Sequence, residues 1–306
     1  MTTALITHLD CLSHAVPNHA PEVPDRLSRI LLALDGLDLV RLPAPLAKDA
    51  QIAACHDQDY IAGIRRRIPK DGFEALDADT ALSPTSADAI WRAAGGAIRA
   101  VDAVLDEEAE TAFAAVRPPG HHAERALAMG FCFFGNIAIA AKHALQRLDR
   151  VAIVDFDVHH GNGTQALLAE EPRALVISSH QMPLWPGTGD PKDRGPHQSH
   201  LNLSFPAGSG GSQMRQAYEA QVFPALRAFE PELILISAGF DSHQDDPLAS
   251  LNWSEDDFRW LTKNLAEIAQ SLCGGRLVSV LEGGYDLSAL GPCVRAHVEE
   301  LMKVKP

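Results

Sequence analysis

Asp157 and His159 stand two residues apart in the segment DFDVHHGNG (155–163), directly behind a β-branched apolar run. Residues i and i+2 of an extended chain point the same way, so both side chains can grip one ion. Asp241, in AGFDSH (238–243), follows a second such run and can add a third ligand. One imidazole and two carboxylates suit Zn²⁺ or Fe²⁺, with open positions left for water. His121 and His122 follow RPPG (117–120), whose prolines and glycine restrict the backbone and hold the rings stiffly. Asp155 and Asn162 flank the metal pair and can orient the two rings through their second nitrogens. Tyr285 lies in EGGYD (282–286), where small neighbours let its hydroxyl approach a ligand. Together these parts describe metal-assisted hydrolysis. The ion polarises a carbonyl and acidifies water. A histidine moves the proton to the leaving nitrogen, and Tyr285 donates to the oxyanion. No Gly-Xaa-Ser-Xaa-Gly elbow and no phosphate loop compete with this chemistry.

Such groups must be delivered by regular elements. Residues 111–116, 151–155, 174–178, 233–237 and 277–281 are short apolar runs that predict strands buried on both faces. The spacing of Ile90, Ala94, Ala97, Ile98, Val101 and Leu105 predicts a helix over 86–105, capped by Ser86. A second helix is predicted over 255–272, with Ser254 as cap, Asp257 three residues on and Gly274-Gly275 beyond its end. Strand–helix–strand alternation implies a mostly parallel sheet. RPPGHH, DFDVHHGNG, AGFDSH and EGGYD each directly follow a predicted strand. In parallel α/β sheets the ligand site lies beyond the carboxyl ends of the strands, so four strand ends converge on one rim.

Composition narrows the class. At 306 residues, 46% of them apolar and 22% charged, the chain can form one large globular domain over 1–306. Its net charge of −14 opposes nucleic-acid phosphate and suits a cationic substrate. Nothing approaches the roughly 20 apolar residues a membrane helix requires. The start MTTALITHLDCLSH is unlike a secretory signal, and the five cysteines form no CxxC pair; both predict a reducing, cytoplasmic setting. The run Arg65-Arg66-Arg67 reads as a solvated helix end. His8, His14, His19 and His56 read as loop or core residues, with His14 and His19 near the rim.

Taken in order, VPDRL (23–27), LSP (82–84), RPPGHHA (117–123), GFCFFGN (130–136), DFDVHHGNGTQ (155–165), PGTG (186–189), AGFD (238–241) and EGGY (282–285) resemble the histone deacetylase superfamily. The likeness is to class II and bacterial deacetylase-like amidohydrolases in particular. It implies a three-layer arginase–deacetylase α/β fold with a mostly parallel sheet of about eight strands. It implies Zn²⁺, or Fe²⁺, on Asp157, His159 and Asp241. It makes His122 the general base and acid, His121 with Asp155 its electrostatic partner, and Tyr285 the group polarising the acyl oxygen. Phe131 and Trp185 match the walls of a tunnel for an acyl-lysine stem, with Gly130 on the same wall. Arg26 matches an arginine of the channel by which acetate leaves. A structural K⁺ is implied on main-chain oxygens of Asp155, Asp157 and His159 and on the Ser178 side chain.

Three departures stand out. Asn162 occupies a position where class I members carry aspartate. An amide cannot stabilise an imidazolium as an anion would, so His122 is expected to rest neutral. Trp185 replaces a phenylalanine or tyrosine. LSP aligns loosely with the rim loop that carries a substrate-gripping aspartate in many members, and Asp79 is the candidate there.

The expected activity is removal of acetyl or short acyl groups from lysine side chains. The alternative is an acetylpolyamine amidohydrolase. Polyamine-selective relatives place a carboxylate where this chain has Leu248, which offers no Coulomb attraction, although Glu22 or Asp190 could supply one. An arginase-like ureohydrolase needs Asp-Xaa-His-Xaa-Asp, and here Gly161 stands in the last position. A non-catalytic metal-binding regulator would not need His121, His122 and Tyr285. The expected partner is an acyl-lysine or small-molecule substrate, with no nucleic acid or membrane; a homo-oligomer is compatible.

Overall fold

The computed structural model describes residues 2–304. Eight strands form one sheet: β1 (Thr3–Thr7), β2 (Val40–Pro43), β3 (Thr111–Ala114), β4 (Val151–Asp155), β5 (Ala174–Gln181), β6 (His200–Phe205), β7 (Leu233–Ala238) and β8 (Leu277–Leu281). Their order is β2-β1-β3-β8-β7-β4-β5-β6, and every pair is parallel. Helices flank the sheet, which explains why β3, β4, β5, β7 and β8 are buried along their whole length. The four strands followed by site motifs, β3, β8, β7 and β4, are consecutive neighbours at the centre. Register aligns their ends: Val280 pairs with Ala114 and with Ser237, and Asp155 with Ser237.

The five predicted strands are present, β4 and β8 with the expected limits. β3 stops at Ala114, short of Val116, because the chain leaves the ladder ahead of Pro118. Sequence pattern did not pick out β1, β2 and β6. β2 is a largely exposed edge strand ending in Pro43, and β6 alternates polar and apolar residues.

The main helices are α1 (Asp25–Ala33), α2 (Ser86–Leu105), α3 (Asn136–Ala144), α4 (Asn162–Leu168), α5 (Glu255–Cys273) and α6 (Leu287–Leu301). α5 starts as expected: Asp257 Oδ2 accepts from Ser254 N and from Ser254 Oγ, both at 2.9 Å, and the helix ends at Gly274 with φ +62°. α2 corrects the sequence reading. Thr85 holds the cap position, and Ser86 Oγ instead accepts from Ser83 N at 2.7 Å and meets His14 Nδ1 at 2.8 Å. Among the described residues, no helix is long and apolar enough to cross a membrane.

Candidate active site

Beyond the ends of β4 and β7, one ligand atom from each of Asp157, His159 and Asp241 lies within 4.8 Å of the others. His159 Nδ1 is 3.2 Å from Asp157 Oδ1 and 3.2 Å from Asp241 Oδ2. The second oxygens are held by main-chain donors: Val158 N gives to Asp241 Oδ1 at 2.8 Å, and Gly283 N to Asp157 Oδ2 at 2.8 Å. Gly283 and Gly239 press against these carboxylates so closely that a Cβ at either would collide with them. Burial and the neighbouring Asp157 push the Asp241 carboxyl up to about 7. Burial works against charge on His159, but the hydrogen bonds and charges of Asp157 and Asp241 outweigh it and raise the ring to about 10. Buried, converging and positive-seeking, this donor set fits a divalent cation of the Zn²⁺ or Fe²⁺ type.

The histidine pair comes from the turn after β3. Glu282 Oε2, at the end of β8, accepts from Gly120 N at 2.7 Å and His121 N at 3.1 Å, which fastens that turn to the neighbouring strand. The two rings stack with centroids 3.9 Å apart. His121 Nδ1 meets Asp155 Oδ2 at 2.9 Å, and His122 Nδ1 meets Asn162 Oδ1 at 2.8 Å. Burial disfavours charge on both rings, and the outcome differs by neighbour. Asp157 and Asp155 hold His121 well above its ordinary value. Burial, with His121 and His159 alongside, drives His122 well below it. Their neighbours therefore push the two rings in opposite directions.

Tyr285, in the turn after β8, lines the same cavity as His122. Its backbone N–H donates to buried Asp246 Oδ2 at 2.7 Å, and Asp246 Oδ1 accepts from Leu248 N at 2.9 Å. Arg26 lies over the Tyr285 ring, 4.8 Å from its centroid, and donates to the main-chain oxygens of Gly284 and Glu282, both at 2.6 Å. Burial pushes the phenol well above its ordinary value, so it remains a donor.

These groups close the floor of a cavity of about 430 Å³ whose walls include Gly130, Phe131, Trp185 and Leu248. Trp185 stands 4.7 Å from the His122 ring, edge to face, and Phe131 stands 5.9 Å from Tyr285. Asp77, Asp79 and His19 also line this cavity. Asp79 Oδ1 accepts from Gly130 N at 3.0 Å, tying to the cavity wall the loop between the short antiparallel strands Glu74–Ala75 and Ala81–Leu82.

Some expectations need correction. Glu22 is not available to a substrate: it is fully buried, chelated by Arg117 (Nε to Oε1, 2.6 Å) and Arg26 (NH1 to Oε1, 2.8 Å). Asp190 does not line the cavity. His14 is interior, hydrogen bonded to Ser86, whereas His19 does reach the mouth. Arg65, Arg66 and Arg67 are exposed in the last turn of a helix, as expected, with Arg65 and Arg67 paired at the surface to Asp49 and Glu74. Ser178 Oγ contacts His180 Nδ1 at 3.0 Å; among the described residues, no protein donor reaches the main-chain oxygens of Asp157 and His159. Sequence reasoning missed Glu282, Asp246 and Glu124. Glu282 lies inside the EGGYD segment, where its acidity at a strand end was the available signal; Asp246 and Glu124 lie just outside the motif segments.

An all-parallel eight-stranded sheet whose central strand ends assemble such a site is the arginase–deacetylase architecture. A family model described as the histone deacetylase domain matches residues 20–301. The chain is 40% identical to the histone deacetylase-like amidohydrolase of Pseudomonas aeruginosa, over 95% of this chain and 79% of that protein. It is 36% identical to the human polyamine deacetylase HDAC10, over 99% of this chain and 48% of that protein. The crystal structure of the HDA15 HD domain superposes with a TM-score of 0.93 at 30% identity, covering 100% of this chain and 90% of the other. The chain belongs to the histone deacetylase family, and so to enzymes that act on amides.

Proposed function

We propose that this chain is a divalent-metal-dependent deacetylase that removes acetyl or other short acyl groups from lysine side chains, as one catalytic unit over residues 1–306. The observation that supports the reading is one cavity lined by Phe131 and Trp185 together with His122, His159 and Tyr285, with uncharged Leu248 also on its wall. A long apolar stem capped by an amide suits that shape.

Asp157, His159 and Asp241 would hold Zn²⁺ or Fe²⁺, which would supply Lewis acidity for the acyl oxygen and the attacking water. The other roles belong to the chain itself. His122 Nε2 accepts the water proton and later delivers it to the leaving amine. His121, charged and paired with Asp155, stabilises the negative charge that develops nearby. The Tyr285 hydroxyl donates to the oxyanion. Phe131, Trp185 and Gly130 align the stem, and exclude water as they do so. Arg26 lines the inner route by which acetate departs. We further propose a structural K⁺ on the main-chain oxygens of Asp155, Asp157 and His159 with Ser178.

A second reading, an acetylpolyamine amidohydrolase, is favoured by Asp77 and Asp79 at the mouth, which could meet a distant ammonium. Kinetics on an acetyl-lysine peptide, acetylputrescine and acetylspermidine, each with and without chelator, decide between them. The peptide is expected to show the highest kcat/KM and to lose turnover with chelator. Preference for acetylspermidine would favour the second reading, and no hydrolysis of any substrate would point to a metal-binding regulator.

A further inference from the structure

Asn162 accepts from His122 through Oδ1, at 2.8 Å, and its other end is not free. Its Nδ2 donates to Glu124 Oε1, also at 2.8 Å. The three residues form a chain, His122–Asn162–Glu124, running outward from the tunnel floor. Two longer contacts also reach Nδ2, from the main-chain oxygen of His122 at 3.4 Å and Met129 Sδ at 3.5 Å, but the carboxylate of Glu124 is the nearest and the only anionic acceptor among them. The neighbouring Arg125 is turned away and paired with Asp57 at 2.8 Å.

We propose that Glu124 is a positioning residue that sets the tautomer of His122 by fixing which way the Asn162 amide faces. A carboxylate only accepts hydrogen bonds, whereas an amide has one accepting and one donating end. Facing Glu124, Asn162 must present Nδ2, so Oδ1 must face His122. His122 Nδ1 must then carry the hydrogen, and Nε2 is left bare toward the tunnel. Were the amide free to turn over, Nδ2 would face His122 Nδ1 and favour the tautomer protonated at Nε2, which cannot take up a proton. The asparagine therefore does not leave the ring without an anion. The anion lies one hydrogen bond further out, and its effect is transmitted as direction. This inference rests on the proposed role of His122 as base.

The test uses the full chain with Zn²⁺ added and two variants. Glu124→Gln preserves size but can donate or accept, so it releases the amide. Glu124→Gln combined with Asn162→Asp restores an obligate acceptor beside His122. Long-range ¹H–¹⁵N spectra of the histidine rings, with His122 assigned by its loss in His122→Asn, read the tautomer directly. The expected result is Nδ1–H in the parent chain, a mixture with Nε2–H in Glu124→Gln, and Nδ1–H again in the double variant. In parallel, kcat on the acetyl-lysine peptide falls about tenfold or more at unchanged KM in Glu124→Gln and recovers to within about threefold of the parent in the double variant. An unchanged tautomer in Glu124→Gln, or a double variant no more active than the single one, overturns the proposal. If the parent chain hydrolyses no amide, the substrate reading fails while the spectra still decide the tautomer question.

Discussion

Gly130 lies against the ring of His122: a methyl group on its Cα would stand 2.5 Å from His122 Cδ2 and 2.6 Å from Trp185 Cη2. The residue also has φ +57°, a conformation that costs an alanine about 1 kcal/mol. The same atom position therefore bounds the cavity and seats the His122 ring. Gly130→Ala is expected to lower kcat/KM by about 10²-fold, the size of an ångström-scale displacement of a catalytic group. Steady-state kinetics beside a thermal unfolding scan separate this from simple loss of folding. Near-parental kcat/KM would mean that the ring can give way freely.

Tyr285→Phe removes the hydroxyl and leaves the ring that Arg26 covers. Turnover on the acetyl-lysine peptide is expected to drop by about 10²-fold or more, with KM little changed, as for loss of one oxyanion donor. A kcat within a few-fold of the parent would remove Tyr285 from the chemistry.

Asp241→Ala deletes one of three converging donors, and the Val158 N–H loses its acceptor. Elemental analysis after dialysis is expected to find about one ion per parent chain and close to none in the variant. Full occupancy in the variant would refute the ligand set.

The buried histidines make the fold sensitive to acid. His297 sits between Thr262 Oγ1 at 2.7 Å and Ser279 Oγ at 2.8 Å, and burial pushes its pKa down to about 3. Below its unfolded value of about 6.5, the unfolded chain binds a proton that the folded chain refuses. Stability is thus fully present above that pH and declines as pH falls toward 3, by up to about 1.4 kcal/mol per pH unit for each such ring. His14, His56 and His180, lowered by burial to about 4, act in the same direction. Denaturant titrations between pH 7 and 5 are expected to show a falling midpoint, with a shallower decline in His297→Gln. An identical slope in the variant would exclude this ring as a source.

Glu22 neutralises Arg117 and Arg26 where none of the three meets solvent. Glu22→Ala leaves two buried cations without their carboxylate and is expected to cost about 3–5 kcal/mol, read from the urea midpoint. A loss below about 1 kcal/mol would show that the guanidinium groups are satisfied by main-chain oxygens alone.

Much of this molecule is legible in its residues because the physics involved is local. Uninterrupted β-branched runs mark strands covered on both faces, and Ser254 with Asp257 marks a helix start. Spacing put Asp157 and His159 on one side of a segment, and the strand-end rule brought Asp241, His122 and Tyr285 toward them. The edge strand β2 escaped because an exposed strand has no apolar run to show. Ser86 misled because a hydroxyl at a helix start serves as cap only if no stronger partner competes, and here Ser83 and His14 do.

Residue types and order alone thus pointed to the sheet class, the Asp157–His159 spacing and the adjacent His121 and His122, since each depends on neighbours a few positions apart; Asp241 joined them only through the strand-end rule. Only the tertiary structure decided the contacts spanning tens to hundreds of residues. It buried Glu22 between Arg117 and Arg26, fastened the histidine turn to Glu282, and set Glu124 behind Asn162. The reason is that a hydrogen-bond partner is selected by three-dimensional proximity and by competition among donors, neither of which is written in the spacing along a chain.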